Sequence, residues 1–255
     1  MEGILKRLIA SLTLALLLPV SAFSLTYSEI RSAYKRSYIY ERSRDYTDAI
    51  KALMPIYENY PNGYTVNLRL GWLYYLSGRY ADSEFHYRKA LQAIPTSVEA
   101  VLGLMLPLMA QDRWSQVESL AYRILKTDYY NYYGNLRLSV ALRHQNKFSM
   151  AEAVDRKMLT LYPTDVNFLN ELALSLLGEG KKLYAKTIFE NVLILDPENV
   201  TARNYLMRLV PSQKRLKESE GVKAPTNSGK RTKTELPEGS SEKGKENRES
   251  KGKEK

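Results

Sequence analysis

A spacing of 34 residues runs through the middle of this chain and limits its fold more than any other feature. Residues 45–49 (DYTDA), 78–83 (GRYADS) and 146–151 (NKFSMA) fall into one frame at that period. Counting in this frame divides the chain into units 30–63, 64–97, 98–131, 132–165 and 166–199, with no insertion. Tandem self-similarity at such a period marks modules that bury their apolar faces only against their neighbours.

The recurring positions are those a pair of antiparallel helices needs. Position eight is small in Ser37, Gly71, Ser139 and Ala173, which lets two helices approach, and Met105 breaks the rule. Position eleven supplies a large apolar knob in Tyr40, Tyr74, Leu108, Leu142 and Leu176. Position seventeen is aromatic in Tyr46, Tyr80, Trp114 and Phe148, with Lys182 the exception, and position twenty (Ala49, Ser83, Val117, Ala151, Ala185) is mostly small. Position thirty-two holds Pro61, Pro95, Pro163 and Pro197, which stop the second helix, while Tyr129 replaces that proline once. Within a unit the apolar spacing is helical, and Gly78 falls in the turn.

These positions resemble the tetratricopeptide repeat family over residues 30–199. The resemblance implies an all-α, right-handed superhelical solenoid of five helix-turn-helix repeats. A terminal unit needs a cap, and residues 200–210 (VTARNYLMRLV) read as a C-terminal capping helix, with 23–29 as a short lead-in.

The resemblance also implies a concave face, lined by the first helices, on which peptides or partner helices bind. Its binding positions are two, five, six, nine, twelve and thirteen. They map onto Arg31, Tyr34, Lys35, Tyr38 and Arg42 in the first unit, and onto Arg69, Trp72 and Tyr75 in the second. The third unit gives Leu102, Leu106 and Met109, the fourth Tyr133, Arg137, Arg143 and His144, and the fifth Asn167, Asn170 and Glu171. Flat aromatics beside guanidinium groups are the residue types that dominate binding hot spots, and they suit an acidic or aromatic-bearing peptide. The alternative is that Tyr34, Trp72 and Tyr75 only pack between adjacent first helices and that the arginines are a solvated face. Some relatives hold a C-terminal carboxylate with a clamp of lysines, asparagines and an arginine; here the matching positions are Tyr34, Tyr38, Arg69, Glu99 and Gly103, so that clamp is absent.

Two further features stand out. Tyr129, Tyr130, Tyr132 and Tyr133 crowd the junction that lacks its proline, as a binding edge or as local packing by rings with polar tips. Asp155 occupies position twenty-four, normally apolar or aromatic, and reads as a partner-facing flaw in the core or as a rotated unit.

The two ends have compositions foreign to a packed interior. Lys6 and Arg7 precede the apolar run 8–20 (LIASLTLALLLPV), followed by the small residues Ser21 and Ala22, the pattern of a secretory signal peptide over 1–22. The run is too short to cross a bilayer comfortably as a helix, and Pro19 ends it. The chain is therefore expected to be exported and periplasmic, or alternatively anchored in the inner membrane by an uncleaved segment. The chain contains no cysteine, so it has no disulfide framework, no thiolate chemistry and no residue to carry a lipoprotein lipid. Residues 211–255 hold 10 Lys, 3 Arg and 8 Glu, half of the formal +10 charge, and read as a disordered tail. Such a tail could tether the protein to an anionic envelope surface or merely solvate it, and its interleaved glutamates argue against a nucleic-acid arm.

Chemistry for catalysis is missing. The two histidines, His86 and His144, lie in different units, His86 as a surface or packing residue, and no phosphate loop or nucleophile elbow occurs. The chain is expected to be a non-enzymatic scaffold without cofactor or metal, binding a protein or peptide partner in the cell envelope. The rival is a structural protein whose solenoid stacks on copies of itself.

Overall fold

A computed structural model of the chain describes residues 24–209. The segments read as signal peptide and as polar tail lie outside the described residues, as does Val210 at the end of the expected cap. Among the described residues the regular elements are all helices: α1 (Tyr27–Arg42), α2 (Tyr46–Lys51), α3 (Met54–Asn59), α4 (Tyr64–Leu76), α5 (Tyr80–Ala93), α6 (Val98–Ala110), α7 (Trp114–Leu125), α8 (Tyr132–His144), α9 (Phe148–Leu159), α10 (Val166–Gly178), α11 (Lys182–Leu195) and α12 (Val200–Leu209). Apart from α2 and α3, each packs on its neighbours in sequence, and the first helices of successive units, α4, α6, α8 and α10, touch in turn. They therefore share one face of the array.

The first unit departs from the expected pair of helices at both ends. Thr26 and Glu29 form a capping box, with the Glu29 amide donating to Thr26 Oγ1 at 3.3 Å and the Thr26 amide to Glu29 Oε2 at 2.7 Å. Helix α1 thus begins at Tyr27, inside the expected lead-in. The second helix is split into α2 and α3 just before Pro55, whose ring has no N–H and crowds the carbonyl one turn earlier.

Every turn between the paired helices uses a left-handed residue at position fifteen. The φ values are 63° at Arg44, 75° at Gly78, 54° at Asp112, 58° at Asn146 and 80° at Gly180. Glycine enters that region freely, and Asn and Asp more readily than other residues, so the turn geometry persists where the glycine is replaced.

The small positions close the helix pairs as expected: Ser37, Ser139, Ala173, Ala49, Ser83, Ala151 and Ala185 are fully buried. At the α4/α5 crossing the Ser83 hydroxyl donates to the Gly71 carbonyl at 2.7 Å, which pairs the hydroxyl buried there. Met105, the exception at position eight, is also fully buried, its flexible thioether filling the space between α6, α7 and α8. At the far end α12 buries Ala202 and stacks Tyr205 on Phe189, centroids 5.4 Å apart and planes 8° off parallel.

A ladder of ion pairs joins units along the array. Position twenty-one of one unit meets position sixteen of the next in Glu84–Arg113, in Glu118–Lys147 at 2.7 Å and in Glu152–Lys181 at 3.1 Å. Each pair is worth little alone. Their shared offset of 29 residues makes every rung report the same stacking register. The outermost units carry Ile50 and Lys186 at position twenty-one instead.

His86 proves to be a packing residue. It is buried between Tyr74, stacked at 5.1 Å, and the edge of Tyr57, with Nδ1 2.9 Å from Asn67 Oδ1. Burial holds its pKa down to about 4. The unfolded chain therefore binds the proton more readily, so this contribution to stability is complete above pH 6.5 and is lost as the pH falls towards 4. The thermal midpoint is expected to drop across that window, and His86→Gln is expected to flatten the drop when melts are followed by circular dichroism.

Candidate partner-binding groove

The first helices bring five of the sequence-named residues to one hollow: Tyr34, Tyr38, Arg69, Trp72 and Leu106. It has a volume of 540 Å³ and is completed by Tyr64, Thr65, Leu68, Glu99, Gly103 and Tyr87. Three helices, α1, α4 and α6, supply all of these except Tyr87.

Tyr87 comes from the second helix of its unit and was not among the expected site residues. Its ring lies between the backbones at Gly71 and Gly103, where a Cβ on Gly103 would stand 2.1 Å from the ring. Only the absence of both side chains lets the phenol reach the floor of the hollow. Burial pushes its hydroxyl pKa up. The traceable signal is a tyrosine at position twenty-four followed by glycine at position six of the next unit.

Arg69 corrects the expectation of an available guanidinium. It is 8% exposed, its Nη2 lies 2.5 Å from Glu41 Oε2, and its guanidinium sits 3.8 Å above the Tyr38 ring. The same carboxylate accepts the Trp72 indole N–H at 2.7 Å. One glutamate thus neutralises Arg69 and orients Trp72, giving a rigid aromatic wall instead of an anion trap. Arg143 is neutralised by the mirror arrangement, its Nε 2.6 Å from Glu171 Oε2. In both cases position twelve of one unit pairs with position six of the next, with the charges exchanged.

Arg137 also stands at position six, but the preceding position twelve is Met109. Its Nη1 donates to the Leu102 carbonyl and lies 4.0 Å from Met105 Sδ. The titratable groups around it are the phenols of Tyr87, Tyr75 and Tyr133, and burial lowers its pKa. Among the described residues no carboxylate forms an ion pair with it. A largely buried guanidinium without a counter-ion is a costly feature for a purely structural role.

The remaining named residues are dispersed. Arg31, Lys35 and Arg42 are exposed on α1 outside the hollow, and Met109 packs against the core. Tyr75 leans on Trp72 of its own helix at 5.8 Å and on Tyr80 of α5 at 6.0 Å, contacts within its own unit and not between adjacent first helices. A second, polar hollow of 410 Å³ gathers Arg143, Asn167, Asn170 and Glu171. Within it Asn167 donates to the Tyr132 hydroxyl at 2.9 Å and Asn170 to Asn199 Oδ1 at 3.3 Å. His144 stacks on Trp114 with centroids 3.9 Å apart.

The tyrosine run divides similarly. Tyr132 is half-buried, donating to Asp165 Oδ2 at 2.9 Å, whereas Tyr129, Tyr130 and Tyr133 are exposed. The missing proline leaves the turn intact, because Asn135 donates to the Tyr129 carbonyl at 3.0 Å just as Asn67 donates to that of Pro61 at 2.9 Å. Asp155 is fully buried, and its carboxyl is pushed well above the usual range by burial. It therefore faces the core and not a partner. Among the described residues, no three His, Asp or Glu side chains gather as a metal site, and no helix is long and apolar enough to cross a membrane.

Comparison with known proteins fits this architecture. A family model described as tetratricopeptide repeat matches residues 34–98. No curated protein matches the sequence. Among solved structures, a tetratricopeptide repeat protein from Parabacteroides merdae ATCC 43184 superposes with a TM-score of 0.66 at 13% identity, covering 76% of this chain and 77% of that one. MamA from Desulfovibrio magneticus RS-1 (residues 41 to the end) gives 0.61 at 13% identity, covering 68% and 97%, and a further MamA structure gives 0.59 at 17%, covering 68% and 94%. At these identities the likeness is one of fold.

Proposed function

We propose that the chain, which has the fold of tetratricopeptide repeat proteins, serves as a non-catalytic adaptor of the cell envelope whose concave face holds a peptide or helix from a protein partner. The observation that carries this reading is the 540 Å³ aromatic hollow, whose walls are locked by Glu41 before any ligand arrives. Preorganised aromatic walls lose little entropy on binding, which is why such residues concentrate binding energy. The partner's anchor is an apolar or aromatic side chain, with a carboxylate placed to reach Arg137. Export to the periplasm and contact of the basic tail with an anionic envelope surface belong to the same reading. They rest on the sequence patterns of residues 1–22 and 211–255.

A photoreactive residue at the exposed groove position Thr65 tests the proposal in cells of the native host. Cross-linking is expected to capture a defined protein, and Tyr38→Glu is expected to cut the yield about tenfold while leaving the thermal midpoint unchanged. Arg137→Gln is expected to weaken binding of the captured partner's acidic peptide but not of its amidated, uncharged analogue. Equal capture by wild type and Tyr38→Glu removes the groove from the function.

A further inference from the structure

The outer face of α11 exposes two aliphatic side chains at positions where the other units carry small or polar ones. Leu183 is 81% exposed and Ile194 77%. In a repeat array each position carries its own controls. Position eighteen, held by Leu183, is Thr47, Ala81, Ser115 and Ser149 elsewhere, and position twenty-nine, held by Ile194, is Glu58, Gln92, Lys126 and Thr160. All eight are exposed. Both positions therefore face solvent throughout the array and stay uncovered when a further unit stacks. Neither the fold nor the end of the stack requires aliphatic side chains at these two solvent-facing positions.

The face also specifies its occupant. Leu183, Thr187, Glu190 and Ile194 follow at spacings of four, three and four, the seam of a helix that packs along another helix. Lys186 flanks this seam and lies 2.6 Å from Glu190. Set antiparallel against a second α11, with the two-fold axis midway between Ile188 and Phe189, the pattern complements itself. Leu183 then meets Ile194 of the other copy, Glu190 stands opposite the other copy's Thr187 with Lys186 of that copy one residue away and within reach of its long side chain, and symmetry repeats both contacts. We propose that the protein forms a two-fold dimer through the outer faces of α11, an isologous contact in which one patch serves both sides. The concave groove stays free in that dimer, so this inference stands apart from the groove reading.

Sedimentation velocity on the full-length protein at roughly 100 µM, where even weak associations are populated, is expected to show a dimer. Leu183→Glu combined with Ile194→Glu is expected to give a monomer with an unchanged thermal midpoint, because both side chains already stand in solvent within one copy. Lys186→Glu and Glu190→Lys are each expected to weaken the dimer about tenfold, and an equimolar mixture of the two to recover it, since each supplies the charge the other lacks. A monomeric wild type overturns the proposal, as does a dimer that survives the Leu183/Ile194 pair or a mixture that stays monomeric. A wild type that remains monomeric and co-sediments with phosphatidylglycerol vesicles assigns the face to lipid and equally overturns it.

Discussion

Gly103→Ala is expected to lower the thermal midpoint by about 5–10 °C, a change of only one methyl group. The added Cβ would stand 2.1 Å from Tyr87 Cε1 and 2.6 Å from two further ring carbons. The ring has little room to swing aside, because it also lies close against Gly71, where an added Cβ would stand 2.9 Å from two ring carbons. Overpacking of a filled interior costs about 1–3 kcal/mol and more where the neighbours are rigid, and in an array of this size each kcal/mol shifts the midpoint by about 2–4 °C. Shortening the ring should relieve the clash. Tyr87→Leu, which copies Leu53 at the same position of the first unit, is expected to cost stability alone yet to recover part of the loss when combined with Gly103→Ala. Melts of the four proteins by circular dichroism close this cycle, and strict additivity of the two changes would show that the ring and the glycine do not meet.

Asp155→Leu is expected to act in the opposite direction and to depend on pH. The side chain is fully buried, and neither carboxylate oxygen has a hydrogen-bond partner of good geometry. Burial raises its pKa well above 3.8, with Glu171 adding to the rise and Ser139 opposing it. A folded-state pKa above the unfolded one means that the folded chain holds the proton longer. The penalty is therefore absent below pH 3.8 and grows as the pH rises towards the folded-state pKa. Leucine removes both the ionisation and the orphaned oxygens, a gain of about 2 kcal/mol near neutrality, or about 4–8 °C. The difference between variant and wild type should widen from pH 4 to pH 8. A difference that is constant with pH would refute the ionisation account while leaving a simple packing gain. His86 works against Asp155 in acid, losing its contribution over the same range in which Asp155 regains one.

Much of this molecule was legible in its sequence because a repeat supplies its own alignment. The period set the frame, and the small residues at positions eight and twenty located the crossings found in the structure. Contacts between units were less legible, since they join residues about 28 apart whose chemistry differs from one junction to the next. Glu41 carried no mark that it would quench Arg69 and steer Trp72, and only its repetition with reversed charges in Arg143 and Glu171 discloses the rule. Tyr87 escaped notice because groove positions were sought on first helices, while its access depends on two glycines in other helices. The split second helix of the first unit followed from a single proline, a signal present in Pro55 but overridden by the regularity of the other units.

The ladder of Glu84–Arg113, Glu118–Lys147 and Glu152–Lys181 is indifferent to the order of the units it joins. Exchanging the third and fourth units would preserve every rung. It would also set Arg137, in place of Gly103, against the Tyr87 ring, where there is no room for a side chain. The pieces of this array are thus numbered and not interchangeable, and duplication or shuffling of a unit within the gene would keep the units connected while erasing the hollow that depends on the second unit being followed by the third.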